Sequence, residues 1–257
     1  MAMNLEQIVE ILVSSFKKNT LVKAIFLKGS MARNEHDIYS DIDLYCLVNE
    51  EDLEKFLPQR IQHLKEYKDL IFLDNIFIIA PQILAVYEDF THIDLYTVTQ
   101  QTLNKNDEIR ILYDPKGLLK DYHEHSSLSL SYDQFVDAVD DVIWFLYQYM
   151  QSSKRRNDIW CCHLLHLSFT YLVSILLYRY CPKRALLGLK TVEKCLSKEI
   201  VDELNLILNK NTVDTHKEAA ILISEVLKQE KEWIFSELEK PEKISLFWSE
   251  VIKYLNE

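Results

Sequence analysis

Two short stretches constrain this chain more than any others: Gly29-Ser30-Met31-Ala32-Arg33 and Ser40-Asp41-Ile42-Asp43-Leu44. The first follows an apolar run, Leu21 to Leu27, that reads as a buried strand. Gly29 stands where that strand ends, and a glycine there permits positive φ or close approach of the backbone to a ligand. Ser30 adds a hydroxyl and an N–H beside it. Asp41 and Asp43 lie two apart in a second apolar strand that runs to Val48, so both carboxylates point to one face. Side by side they repel, and a divalent cation with oxygen ligands is the usual remedy.

Gly-Ser followed by Asp-x-Asp on the next strand resembles the signature of the nucleotidyltransferase superfamily. The resemblance implies that Gly29 and Ser30 hold the outer phosphates of a nucleoside triphosphate and that Asp41 and Asp43 hold magnesium. It also implies a third carboxylate from a later strand. Thr91 to Val98 offers Asp94, in an apolar run where a charge is otherwise costly. One position departs from the pattern. The family often has Gly after the basic residue, where this chain has Asn34, another residue that tolerates the left-handed region.

The 257 residues suffice for one or two domains, and 48% hydrophobic with 27% charged residues is ordinary for a soluble protein. A net charge of −11 argues against broad nucleic-acid binding, which needs a basic face, and suits a cationic partner. Cys46, Cys161, Cys162, Cys181 and Cys195 contain no Cys-x-x-Cys and read as reduced thiols of a cytoplasmic protein. The N-terminus, with Glu6 and Glu10, has no signal-peptide pattern. The longest apolar run, Leu167 to Tyr178, is shorter than the ~20 residues of a bilayer span and reads as a core helix.

In chain order, Asn4 to Lys17 predicts a helix striped by Leu5, Ile8, Val9, Leu12 and Phe16, with Asn4 and Gln7 as a capping box. Residues 31–37 predict a short helical turn. Within it, Arg33 either faces a phosphate or is simply solvated, and Asp37 is a turn residue. Glu50 to Tyr67 predicts a surface helix with Pro58 as a kink or break. Short strands are expected at 70–73, 76–79, 83–87, 91–98 and 111–113, with Glu88-Asp89 as a turn. Asp114-Pro115-Lys116-Gly117 is a strong turn signal. The segment from there to Ser131 reads as the boundary between a mixed strand-and-helix half and a helical half. Helices are expected at 132–151, capped by Ser131, and at 157–180, apolar nearly all round, then at 185–196, 198–209, 215–238 and 243–255.

The resulting expectation is an α/β (α+β) protein. Residues 1–120 form a nucleotidyltransferase catalytic domain of polymerase-beta type, a mixed sheet with helices. Residues 121–257 form an α-helical bundle that binds the acceptor. The architecture resembles the aminoglycoside and lincosamide (streptomycin-type) adenylyltransferases. That resemblance implies transfer of AMP from ATP, or of another NMP from its triphosphate, to a hydroxyl of a small acceptor, with Mg2+ as cofactor. Asp94 would complete the metal site or take the acceptor's proton. Arg33 is a candidate phosphate contact. Asp158, which opens the long helix beside Arg155 and Arg156, and Asp140, beside Asp137 and Asp141, are candidate contacts to a cationic acceptor. Each also has a plainer reading, Asp158 as an acid at a helix N-terminus and the Asp137/Asp140/Asp141 group as a solvated helix face. His163 and His166 lack an evident third metal ligand. No membrane partner is expected, and the oligomeric state is open. Two rivals stand beside this reading: a toxin–antitoxin enzyme that modifies a protein or RNA, and a non-catalytic nucleotide-binding module on the same fold.

Overall fold

In the computed structural model, which describes residues 3–104, 108–122 and 128–256, helix α1 (Leu5–Phe16) opens on the expected capping box. Asn4 Oδ1 accepts from Gln7 N at 2.9 Å, and Gln7 Oε1 accepts from Asn4 N at 3.0 Å. Strand β1 (Val22–Leu27), the single turn α2 (Gly29–Ala32) and strand β2 (Ile42–Val48) follow. The helical turn thus starts at Gly29 and stops at Ala32, earlier than its expected span of 31–37.

A single helix does not form over 50–67. Two short helices, α3 (Leu53–Phe56) and α4 (Arg60–Leu64), are each preceded by a 3-10 turn. Pro58 lies in the second of those turns, where its missing N–H and fixed φ keep the α-helix from running through.

Strands β3 (Leu70–Phe77), β4 (Pro81–Tyr87), β5 (His92–Val98) and β6 (Arg110–Tyr113) complete the first unit. The sequence predicts two strands over 70–79, but β3 runs unbroken through Asp74-Asn75, and Ile78 and Ile79 belong to the loop before β4. The buried Arg60 helps keep these polar residues in the strand. Its guanidinium donates to Asn75 Oδ1 at 3.2 Å, Thr97 Oγ1 at 3.3 Å and Pro81 O at 3.4 Å.

The six strands lie in the order β3-β4-β5-β2-β1-β6. The β2–β5 pair is parallel and the other neighbours are antiparallel. Alternation separates the two faces. Ile25, Leu27, Leu44 and Cys46 pack with Leu12 and Phe16 of α1 and with Phe56 and Leu64. On the other face Ala24, Phe26, Tyr45 and Leu47 pack with Leu103, Leu119 and Tyr122. Because Asp43 is two residues from Tyr45, it falls on this second face.

The chain divides into two compact units, Met1–Ser126 and Ser127–Glu257. In the second, α5 (Tyr132–Lys154) starts at a Ser131–Gln134 capping box, and α6 (Asp158–Tyr180) follows. Among the described residues α6 is the one helix long and apolar enough to cross a membrane, longer than the apolar run in the sequence suggests, and half of its most apolar window is buried inside the protein. Leu165, Leu172 and Leu176 of α6 share a core with Phe135, Val139 and Leu146 of α5.

A regular helix was expected over 185–196. The chain instead takes a 3-10 path from Pro182 to Thr191, broken at Gly188 (φ 55°), before the one-turn α7 (Val192–Cys195). Helices α8 (Lys198–Lys210), α9 (His216–Glu237) and α10 (Glu242–Leu255) close the bundle. Glu230 of α9 pairs with Arg179 and accepts from Tyr180 OH at 2.9 Å, which ties α9 to the end of α6.

Candidate active site

The site begins where β1 stops. Lys28 N–H donates to the Asp43 carbonyl at 3.1 Å, and Gly29 then turns the chain with φ +63°. A Cβ added at Gly29 would lie 2.1 Å from Asp43 Oδ2 and 3.2 Å from its Cγ. Both the backbone angle and the space therefore call for glycine, and the space is set by a carboxylate of the site itself. The Ser30 hydroxyl that follows is buried without a hydrogen-bond partner. Asn34 takes φ 56°, so it adopts the left-handed conformation that the family's glycine would provide.

The carboxylates come together through strand register. In the parallel β2–β5 pair Asp43 stands opposite Asp94, and Tyr45 stands opposite Tyr96 with their rings stacked at 4.4 Å. Asp41, two residues before Asp43, joins the same face. One carboxylate oxygen from each of Asp41, Asp43 and Asp94 lies within 4.8 Å of the others. Burial pushes the Asp94 carboxyl above the ordinary carboxylate range; the His92 ring pulls the other way, and the Asp41 charge adds to the push. Asp94 Oδ1 is buried without a hydrogen bond, although His92 Nε2 stands 3.1 Å away.

Three convergent carboxylates, one with an orphaned oxygen, form a hard-oxygen donor set of the kind that fits Mg2+. Among the described residues this is the one such cluster of three or more His, Cys, Asp or Glu.

Arg33 Nε donates to Glu35 at 3.0 Å. Asp37 closes its turn by accepting from Tyr39 N and Ser40 Oγ. Asp89 accepts from Tyr67 OH, Lys68 Nζ and Thr91 N in the turn before β5. In the second unit Asp158 Oδ1 is 3.2 Å from Nε2 of the buried His216, whose Nδ1 is 2.9 Å from Tyr149 OH. Asp140 is exposed as a residue, yet partial desolvation of its carboxyl, with the charges of Asp137 and Asp141, raises it. His163 packs against the Trp160 ring at 4.8 Å between centroids.

Two residues of the site escape the sequence reading. His92 shares the Asp94 face, as its i, i+2 spacing on β5 foretells. Gln82, buried in β4, hydrogen-bonds Asp94 while its own Oε1 lacks a partner. Its signal was a polar residue within the apolar strand Pro81–Tyr87.

Residues 5–112 match the family model described as the nucleotidyltransferase domain, so the first unit carries a nucleotidyltransferase domain. No curated protein matches the chain. Among solved structures it is similar to an aminoglycoside 6-adenyltransferase from Bacillus subtilis, at 11% identity and TM-score 0.38, over 97% of this chain and 99% of that one. It is also similar to a nucleotidyltransferase-like protein from Exiguobacterium sibiricum 255-15, at 10% identity and TM-score 0.38, over 91% of this chain and 78% of that one.

Proposed function

We propose that this nucleotidyltransferase moves a nucleoside monophosphate, AMP from ATP, to a hydroxyl of a small cationic acceptor of aminoglycoside or lincosamide type, releasing pyrophosphate with Mg2+ as cofactor. The observation that carries the reading is the convergence of Asp41, Asp43 and Asp94 beside the Gly29 turn. Asp41 and Asp43, with Asp94 beside them, would hold the ion, which when bound supplies positive charge to the phosphate oxygens. Gly29 lets the backbone approach the triphosphate, and the unpartnered Ser30 hydroxyl is free to donate to it. Arg33 is assigned to the same phosphates.

Asp94 is the group best suited to take the proton of the acceptor hydroxyl. It is half-buried and carries an oxygen without a hydrogen-bond partner. For the acceptor we assign Asp140 and Asp158. Like-charge crowding at Asp140 is relieved by a cationic ligand, and the chain as a whole carries −11.

The test is pyrophosphate release from labelled triphosphates over a panel of aminoglycosides and lincosamides with Mg2+ present. Release with a cationic hydroxyl compound, weakening as salt rises, is the expected result. Release with tRNA or a protein but no small molecule would replace the acceptor class. Triphosphate binding without release under any condition would sink the enzymatic reading.

A further inference from the structure

Strand β3 lies at one edge of the sheet, and its sequence does not protect it. Natural edges are usually short, charged or interrupted by proline. The opposite edge, β6, follows that rule: it spans Arg110–Tyr113, and Arg110 donates to both carboxylate oxygens of Glu6 at 2.9 and 2.8 Å. Strand β3 runs from Leu70 to Phe77 with Asp74 as its one charge. Ile71, Phe72, Phe77, Ile78 and Ile79 are all more than half exposed along it and its loop, with Phe77 at 72%.

The hydrogen-bonding side of each residue follows from the register. Tyr87 N donates to Thr91 O, so the odd-numbered residues of β4 bond to β5 and the even-numbered ones to β3. Leu84 pairs with Asp74 and Gln82 with Ile76, so Asp74 and Ile76 bond inward. Leu73, Asn75 and Phe77 therefore turn their N–H and C=O groups to the open edge.

We propose that this edge pairs with the β3 edge of a second copy of the chain, antiparallel, about a twofold axis at Asn75. An isologous antiparallel pair must place some residue opposite itself. With Asn75 there, the outward groups of Leu73, Asn75 and Phe77 meet those of Phe77, Asn75 and Leu73 of the other copy. The same register brings Ile71 and Phe72 toward the Ile78-Ile79 loop of the other copy, apolar against apolar. A shift that centres on Asp74 would set two carboxylates face to face. Phe72, Phe77 and the three isoleucines together expose on the order of 500 Å² of apolar surface per copy, and pairing covers the flanks of it that meet the added strand, on top of the main-chain edge itself. Pairing consumes the β3 edge of both copies, so the assembly closes as a dimer.

Sedimentation velocity on the full chain tests this, with and without Phe77→Lys plus Ile78→Lys. The expected mass is twice 30.5 kDa for the native chain and 30.5 kDa for the variant, with unchanged circular dichroism. Asp74→Cys plus Ile76→Cys should give a covalent dimer on mild oxidation that the native chain does not give, since in this register the two face each other across a non-hydrogen-bonded pair, where Cα atoms stand ~4.5 Å apart and side chains are closest. A native chain that stays monomeric at high micromolar concentration, a dimer that survives the lysines, a dimer whose Asp74→Cys/Ile76→Cys form does not cross-link, or polymers that grow with concentration would each overturn the proposal.

Discussion

At the residue scale, Gly29 and Asp43 act as one unit. An alanine at 29 must adopt φ +63° and share space with the Asp43 carboxylate, so either the turn or the ligand shifts. Displacing a reacting group by ~1 Å costs about 10²-fold in rate. Gly29→Ala should therefore lower pyrophosphate release by about that factor while the chain stays folded by circular dichroism; near-native turnover would detach Gly29 from the site. Asp41→Ala and Asp43→Ala should abolish release and yet raise the melting temperature in EDTA, because each relieves like-charge repulsion in the metal-free cluster. If added Mg2+ then raises the melting temperature of the native chain and not of either variant, the donor set is the one assigned here.

At the scale of elements, the β3–β4–β5 region is pinned by two polar clusters. Arg60 is a buried cation that burial pushes down to about 10, so it stays charged at neutral pH and fastens α4 to β3, β4 and β5. Arg60→Ala leaves the Thr97 hydroxyl and the Pro81 carbonyl without their partner and opens a cavity, so a loss of about 2–4 kcal/mol in urea unfolding is expected. The second cluster surrounds Asp89. Partial burial alone would raise this carboxyl, but hydrogen bonds from Tyr67, Lys68 and Thr91 outweigh it and hold it well below the usual carboxylate range. A carboxyl depressed in the folded state stabilises at all pH above its unfolded value of ~3.9, and that stabilisation is lost as pH falls through the folded value. Asp89→Asn should thus melt lower than the native chain at pH 7, and the gap should close in strong acid. A gap independent of pH would show that Asp89 acts by shape alone.

At the scale of the whole molecule, the two units carry separate apolar cores, one of helices α5 to α10 and two on the faces of the sheet. Each should fold when expressed alone. A fragment of residues 128–257 is expected to give a cooperative melt with helical circular dichroism, and one of residues 1–126 to bind Mg2+ and triphosphate without turning over an acceptor. Failure of either fragment to fold would show that the cores depend on each other. Much of this organisation can be read along the chain, because its causes are local. The capping boxes at Asn4 and Ser131, the positive φ at Gly29 and the apolar spans of β1, β2, β5, α5 and α6 depend on neighbours a few residues away. The i, i+2 spacing that turns Asp41 and Asp43 to one side is likewise local. The continuity of β3 through Asp74-Asn75 is not, because it rests on Arg60 bonding to Asn75 from another element. The unwinding of 185–196 about Gly188 is equally hidden, since a helical pattern does not reveal which glycine leaves the helical region. The parallel register that sets Asp94 opposite Asp43, and the antiparallel β4–β5 pairing that brings Gln82 beside it, are decided by pairing between distant segments. Sequence alone determined which residues carry charge and hydrogen-bonding groups on each strand; tertiary structure alone decided which of them meet, because strand pairing sums contributions from the whole sheet that no single stretch contains.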